Sequence, residues 1–151
     1  MGYDHILLAI GPDDRGSSDA LVDAAIDLAE PADTVVHLLY IFPRDDYETL
    51  MEQMDIDTAT SGLTPDEVAE RHESVREPAD RLESMGIDHE ISGVSDTTPS
   101  EQVIQRIRRT EADVVVVGGA RRSPAGKAVF GDRAQQILLK SPVPVLFVRR
   151  A

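Results

Sequence analysis

Four consecutive valines at positions 114–117 are followed at once by Gly118 and Gly119. A basic loop comes next, and it leads into an amphipathic stretch over residues 132–140. An uninterrupted β-branched run of this kind is typical of a strand that is buried on both faces. A buried strand, a glycine loop and a helix in this order predict a phosphate-binding loop, because glycines let the backbone approach an anion and the first amides of the helix point towards it.

Apolar strands and amphipathic helices alternate along the whole chain. The hydrophobic pattern predicts five strands, at residues 3–10, 34–42, 87–92, 113–117 and 144–149. It predicts helices at residues 19–29, at 64–85, from 98 onward and at 132–140. The third strand is short and polar, and we expect it at an edge of the sheet. The alternation predicts an α/β domain with a mainly parallel sheet.

Local signals set the ends of these helices. Thr64 and Thr98 each precede a proline and an acidic residue in a capping box, which predicts a helix start. We expect Pro78 to kink the longer of these helices and Gly86 to end it. The stretch 44–62 has no such pattern, and we predict that it is a mobile insertion.

Length and composition narrow the class of protein. The 151 residues suffice for one domain, residues 1–151. No apolar run is long enough to span a membrane, so no membrane partner is expected. The formal net charge of −13 argues against nucleic-acid binding, whose affinity comes mostly from neutralised phosphates. The lack of cysteine excludes disulfides and thiolate metal sites and fits a cytoplasmic protein.

The acidic excess has a pattern of its own. There are 28 acidic and 15 basic residues, and among the basic ones only Lys127 and Lys140 are lysine. In concentrated salt, screening removes the self-repulsion of such a surface while the net charge keeps the protein soluble. We interpret this composition as halophilic, that is, as adaptation to a high-salt cytoplasm. We expect stability to fall below roughly 1 M salt.

The predicted ligand site lies at one edge of the sheet. In an open parallel sheet, ligands bind beyond the carboxyl ends of the strands, where the strand order reverses. That edge collects the loop 11–18, the residues after Ile41 and the glycine loop 118–131. The predicted phosphate-binding loop therefore lies where a ligand is expected.

Three stretches of the chain resemble the universal stress protein family. They are His5–Ile10 with the helix that follows, residues 34–41, and residues 113–149. The resemblance implies a Rossmann-like, three-layer α/β/α domain of the adenine nucleotide alpha hydrolase type, with a five-stranded parallel sheet in the order 3-2-1-4-5. It also implies a homodimer through the last strand, residues 144–149, and, in one branch of the family, ATP bound at the glycine loop.

The ATP-binding branch has the pattern Gly-x-x-Gly, nine residues, and then Gly-Ser or Gly-Thr. Aligned on this pattern, the first glycine falls on Gly118 and the last on Gly131. Arg121 stands at the second glycine, and Asp132 stands at the hydroxyl residue. The loop therefore departs from the pattern at two positions.

The nucleoside side of the implied site departs from the pattern as well. The branch has an acidic residue at the end of the first strand, whereas this chain has Gly11 there. Asp13 and Asp14 follow closely and would substitute if the loop is shifted. The resemblance places the adenine against the backbone after Ile41.

Arg121 and Asp132 have opposite effects on phosphate binding. A guanidinium at 121 can bind a phosphate through two hydrogen bonds. A carboxylate at 132 only accepts hydrogen bonds and repels a phosphate, unless a Mg²⁺ ion bridges the two. Asp132 also has a simpler explanation, because aspartate caps the start of a helix as well as serine does.

The residues leave three functions open, of which we favour the first. The first is a regulatory or protective homodimer whose degenerate site at 118–132 binds ATP weakly or not at all. The second is a stress-signalling switch that binds ATP with Mg²⁺. The third is a slow ATPase, for which no convergent acid, base or nucleophile is evident, so no catalytic residue is predicted.

Metal ligation by histidine is not expected. The four histidines stand at unrelated spacings, and no pair has the four-residue offset of a helical metal site; they are His5, His37, His72 and His89. His37 lies inside an apolar strand and is interpreted as a core or interface residue.

Overall fold

Strands and helices alternate along the part of the chain that the computed structural model describes, which is residues 3–11, 14, 18–31, 33–43, 65–96, 99–122, 128–130 and 132–149. The strands are β1 (His5–Ile10), β2 (Val35–Pro43), β3 (Asp88–Asp96), β4 (Val114–Arg122), β5 (Ala128–Phe130) and β6 (Val145–Arg149). The helices are α1 (Ser18–Leu28), α2 (Pro65–Arg71), α3 (Glu73–Ser84), α4 (Pro99–Thr110) and α5 (Asp132–Lys140). The predicted insertion at 44–62 lies outside the described residues.

Five of the strands run parallel, in the order β3-β2-β1-β4-β6. These are the five predicted strands, so the predicted order 3-2-1-4-5 is confirmed. The short strand β5 was not predicted; it pairs antiparallel with the last residues of β4. The chain reverses its strand order between β1 and β4, which is the point where a ligand site is expected.

Each face of the sheet carries its own hydrophobic core, because successive side chains of a strand point to opposite faces. Ile6 and Leu8 of β1 pack in one cluster with apolar residues of α1, α2 and α3. Leu7 and Ala9 pack in the other cluster with residues of α4 and α5. The two cores make the three-layer α/β/α arrangement that was predicted.

The predicted helix over 64–85 is two helices, which corrects that prediction. The break falls at His72, whose Nδ1 accepts a hydrogen bond of 3.1 Å from the backbone N–H of Ser74 and so caps α3. Pro78 lies inside α3. A proline within a helix only removes one backbone donor. The imidazole of His72 accepts a hydrogen bond from a backbone N–H of the first turn, and a new helix starts there.

Two helices end on a residue with positive φ, and the two residues differ in type. After α3, Gly86 has φ 72°, and Ile87 donates to the carbonyl of Leu82. After α4, Glu111 has φ 55°, although a side chain disfavours that conformation. The predicted end of a helix at Gly86 is confirmed. The end of α4 at Glu111 could not be predicted from a glycine, because the sequence has none there.

Strand β3 lies at one edge of the sheet, as predicted, but it is longer than predicted and reaches Asp96. Its outer side is covered in part by α2, because Asp66 Oδ1 accepts a 2.8 Å hydrogen bond from the backbone N–H of Gly93. An edge N–H that is already bonded cannot pair with another strand.

The aspartates of α1 are exposed, and a basic side chain of α3 approaches two of them. Arg81 of α3 forms an ion pair and hydrogen bond with Asp23, and its other amino group lies 3.8 Å from Asp19. The Arg81 side chain thus links α1 to α3. None of the helices within the described residues is long and apolar enough to cross a membrane.

Candidate functional site

The carboxyl ends of the parallel strands lie along one edge of the sheet, where the sequence predicts the ligand site. Gly11 directly follows β1, and Gly118 lies within β4. The pairing of Ala9 with Val117 brings Gly118 level with the end of β1. Ile41 lies within β2 and is fully buried, so only its backbone can face a ligand at this edge.

The carboxylate of Asp14 fills the space beside Gly118. Asp14 is fully buried, and its Oδ2 accepts a 2.8 Å hydrogen bond from the backbone N–H of Gly11. The backbone N–H of Asp14 donates in turn to the carbonyl of Gly11 at 3.0 Å. A Cβ atom added to Gly118 would lie only 2.5 Å from Asp14 Oδ1. Gly118 therefore has to be a glycine for the carboxylate to fit.

The glycine pair lies within a strand, which corrects the predicted end of this strand at residue 117. Strand β4 continues through both glycines to Arg122. Its pairing with β6 shifts by one residue between Gly118 and Ala120, so Gly119 is an extra residue in the ladder, as in a β-bulge. Glycine is a common residue at such a bulge because it has no side chain to place.

Strand β5 lies beyond the carboxyl end of β1, on the same side of β4. Ala120 pairs with Phe130 of β5 and also with Arg149 of β6, so these two strands lie on opposite sides of β4. Strand β1 is on the side of β4 away from β6, because both pair with Val115–Val117. The β4–β5 hairpin therefore extends the sheet beyond β1, over the switch point between β1 and β4.

Two of the predicted site residues are described only in part. The backbone of Arg121 belongs to β4, where it pairs with Val129, but its side chain lies outside the described residues. Asp132 is the first residue of α5, in agreement with a helix start there, and its side chain is outside the description as well. Gly131 lies outside it entirely, as does Asp13.

Aromatic rings flank Ile41 on the other face of β2. The rings of Tyr40 and His72 stack with centroids 4.4 Å apart, and Tyr40 and Phe42 lie 4.6 Å apart. Tyr40 and Phe42 are almost fully buried. His72 is therefore held by packing and by its cap on α3, and it serves the fold near the site.

A second cluster of functional side chains lies at the opposite edge of the sheet. His5 Nδ1 of β1 lies 3.1 Å from His37 Nε2 of β2, and His37 Nδ1 lies 3.3 Å from Glu90 Oε2 of β3. His37 is buried, and burial lowers its pKa below the usual 6.5, against the opposing influence of Glu90. Sequence spacing gave no sign of this cluster; the matching strand register is the signal that reveals it.

Elsewhere in the part of the chain that the structure describes, Arg81 contacts Asp19 and Asp23. There, no three His, Asp or Glu side chains come together in a way that would hold a metal ion. The edge at the carboxyl ends of the strands, the carboxyl edge, thus offers one buried carboxylate and glycine backbone. The edge at their amino ends, the amino edge, offers two imidazoles and a carboxylate.

Comparison with known proteins supports the fold and assigns the family. The sequence model of the "Universal stress protein family" matches residues 2–149 of this chain. The chain belongs to the universal stress protein family.

Relatives of known name agree with this assignment. A universal stress protein of Mycolicibacterium smegmatis is 32% identical over 68 residues, which cover 45% of this chain and 52% of the relative. The chain thus spans about half the length of that relative. Among solved structures, the universal stress protein UspA from Lactobacillus plantarum shares 16% identity over 99% of both chains, with a TM-score of 0.65. A universal stress protein in complex with cAMP shares 17% identity over 100% of both chains, with the same TM-score of 0.65.

As a universal stress protein, this chain has an acidic residue near the end of the first strand, but not at the expected position. Gly11 stands where the resemblance implies a carboxylate, and Asp14 returns its own carboxylate to the Gly11 amide. The sequence offered Asp13 and Asp14 as substitutes without deciding between them. Of the two, Asp14 is described, and its carboxylate contacts the residue at the strand end.

Proposed function

We propose that this universal stress protein is a homodimeric regulatory or protective protein whose adenine-nucleotide site binds nucleotide weakly or not at all. The proposed site comprises Gly11, the backbone at Ile41, Gly118 and the stretch from Arg121 to Gly131 and Asp132. The observation that carries the proposal is the burial of Asp14 against Gly118. The space that a close-approaching ligand would use beside this glycine already holds a carboxylate.

Electrostatics supports weak binding of a phosphate at this place. Two unit charges 4 Å apart interact with about 4 kcal/mol at an effective dielectric constant of 20. A phosphate beside the buried Asp14 carboxylate would meet a repulsion of that order, and a carboxylate at 132 would add to it. The Gly11 amide, which would otherwise be free to donate to a ligand, already donates to Asp14.

A functional nucleotide site is the second candidate, and one finding favours it. The universal stress protein solved with cAMP shares the fold over the full length of this chain. In that case a Mg²⁺ ion at Asp132 would offset the negative charges. The two candidates differ in one measurable quantity, which is the affinity of the purified protein for adenine nucleotides.

The proposal is tested by denaturing the protein, purified at high salt, and assaying the supernatant for released nucleotide, followed by calorimetric titration with cAMP, ATP and Mg-ATP. We expect no stoichiometric nucleotide and no saturable heat. Asp14→Ala removes the buried carboxylate, and Asp132→Ser restores the hydroxyl of the family pattern. We expect either change to strengthen binding, and the exposed Asp27→Ala serves as a control with the same loss of charge.

Tight binding by the unaltered protein would overturn the weak-site proposal in favour of the switch. Null binding in both variants and in their combination would show that the charges are not the obstacle. The binding assays should be run at the salt concentration that keeps the protein folded.

Homodimerisation through β6 is supported by its exposed edge. Strand β6 pairs with β4 alone among the described strands, and its Leu146 is 38% exposed. On the neighbouring helix α5, Leu138 and Leu139 are also exposed. Apolar side chains together with a strand that has a partner on one side only favour pairing with a second copy.

We further propose that the protein works in a cytoplasm of high salt. The net charge of −13 supports this, because its self-repulsion is relieved only by strong screening. The melting temperature should therefore rise steeply between 0.1 M and roughly 2 M KCl, and an unchanged value would refute the halophilic assignment.

A further inference from the structure

The amino ends of three neighbouring strands are linked by ionisable side chains. His5 begins β1, His37 lies opposite Leu7 of β1, and Glu90 lies opposite His37 in β3. The three side chains are on the face of the sheet that packs against α4. They form a continuous chain, with contacts of 3.1 Å between the imidazoles and 3.3 Å between His37 and Glu90.

The contacts determine which ring nitrogens carry protons. A carboxylate only accepts, so His37 Nδ1 carries the proton that faces Glu90. Neutral His37 then has an unprotonated Nε2, which can accept the Nδ1–H of His5. The chain of hydrogen bonds runs from His5 through His37 to Glu90, and every member keeps its partner.

The same arrangement tolerates one added proton but not two. A proton added at His5 Nε2 leaves both hydrogen bonds intact and makes the first of them charge-assisted. A second proton, at His37 Nε2, would point N–H at N–H and place two imidazolium rings side by side. The ring centroids of His5 and His37 are only 5.3 Å apart.

The surroundings of His37 make its protonation difficult. Burial lowers its pKa, and the charges of His5 and of Arg106 on α4 lower it further, while Glu90 raises it. The side chain of Glu90 is 74% exposed, so solvent weakens its attraction. Just before β4, the carboxylate of Asp113 accepts hydrogen bonds from the backbone N–H groups of Asp4 and His5 at 2.9 and 3.0 Å.

We propose that His5, His37 and Glu90 form a pH-operated clasp, which holds the amino ends of β1, β2 and β3 together while His37 is neutral and opens when both imidazoles are protonated. The clasp gives the protein a response to acidification. It lies at the edge opposite the proposed nucleotide site, so it does not rest on nucleotide binding.

The direction of the effect on stability follows from proton linkage. The pKa of His37 is lowered in the folded state, so below pH 6.5 the unfolded chain binds more protons than the folded one. The contribution of neutral His37 to stability is complete above pH 6.5 and is lost as the pH falls below it. Acidification therefore weakens this edge of the sheet.

The clasp is tested by NMR of the ring nitrogens in ¹⁵N-histidine-labelled protein at high salt, from pH 8 to pH 4.5. At pH 8 we expect His37 to be the Nδ1–H tautomer and a scalar coupling to cross the hydrogen bond between His5 Nδ1 and His37 Nε2. The coupling should vanish as His37 titrates, with a midpoint below pH 6.5. An Nε2–H tautomer of His37 at pH 8, or an unshifted midpoint, would overturn the proposal.

Variants separate the clasp from general acid sensitivity. Glu90→Gln changes an exposed side chain and should lower the midpoint of His37 further, because Glu90 raises its pKa. His37→Gln should lose less stability than the unaltered protein between pH 7.5 and pH 5, as measured by denaturant unfolding. His89→Gln, which changes the neighbouring residue of Glu90, is the control and should keep the full loss. Equal losses in His37→Gln and His89→Gln would refute the clasp.

Discussion

The two edges of the same sheet use buried ionisable groups in opposite ways. At the carboxyl edge, the single carboxylate of Asp14 is fully buried and fits between Gly11 and Gly118, with no room for another atom. At the amino edge, His37 and Glu90 lie in a chain that reaches the solvent. The stability of the fold should therefore be sensitive to added side-chain volume at the carboxyl edge and to pH at the amino edge.

The largest expected effect is that of Gly118→Ala. The added methyl group would collide with Asp14 Oδ1 inside the fold, and overpacking of this kind costs about 1–3 kcal/mol of unfolding free energy. The loss should be the same at pH 7.5 and pH 5.5, because it comes from volume. Denaturant unfolding at high salt measures it.

The matched control for this change is Gly118→Ala in an Asp14→Ala background. If the collision with Asp14 is the cause, the second substitution should relieve much of the first, and the two effects should not add. Additive losses would mean that the carboxylate is not what excludes a side chain at 118.

A smaller loss is expected for Asp113→Ala at the amino edge. Its carboxylate accepts hydrogen bonds from the backbone N–H groups of Asp4 and His5 and so ties β4 to β1. Both bonds are exposed, where water replaces the lost acceptor, so we expect a cost of about 1 kcal/mol. Asp33→Ala changes another exposed aspartate and should cost less; equal costs would contradict a role of Asp113 in joining these strands.

The smallest expected effect is that of salt, which should change the midpoint of His37 at the amino edge but not the cost of Gly118→Ala at the carboxyl edge. Raising the ionic strength above roughly 1 M, where we expect the protein to stay folded, shortens a Debye length that is already about 3 Å. Screening weakens the attraction of exposed Glu90 for protonated His37 and also the repulsion from His5 and Arg106, so the NMR midpoint of His37 should change only slightly. The cost of Gly118→Ala in unfolding free energy should stay constant over any salt range in which both proteins fold. A salt-dependent cost would contradict an origin in side-chain volume alone.

The sequence was sufficient to predict the sheet because its central strands β1, β2 and β4 are buried on both faces. Runs such as Val114–Val117 have no polar alternation, and only a parallel sheet covered by helices buries them in that way. The exposed elements were predicted less well. At the helix break, His72 caps α3 and its ring stacks with Tyr40, a partner that is distant in sequence.

The candidate site was harder to predict because it depends on contacts between loops and strand ends. Gly118 and Gly119 look the same in a turn and in a bulged strand, and only the pairing with β5 distinguishes the two. The meeting of His5 with His37 depends on the register of β1 against β2. Spacing along the chain carries no information about that register.

The hydrogen bond from Gly93 to Asp66 bears on how copies of this protein can assemble. It uses an amide of β3, and helix α2 lies against the same strand, whereas β6 pairs with β4 alone among the described strands. A sheet with two open edges can add copies without limit and grow into a fibre. A sheet with one open edge can pair only once, so we expect association through β6 to close at two copies.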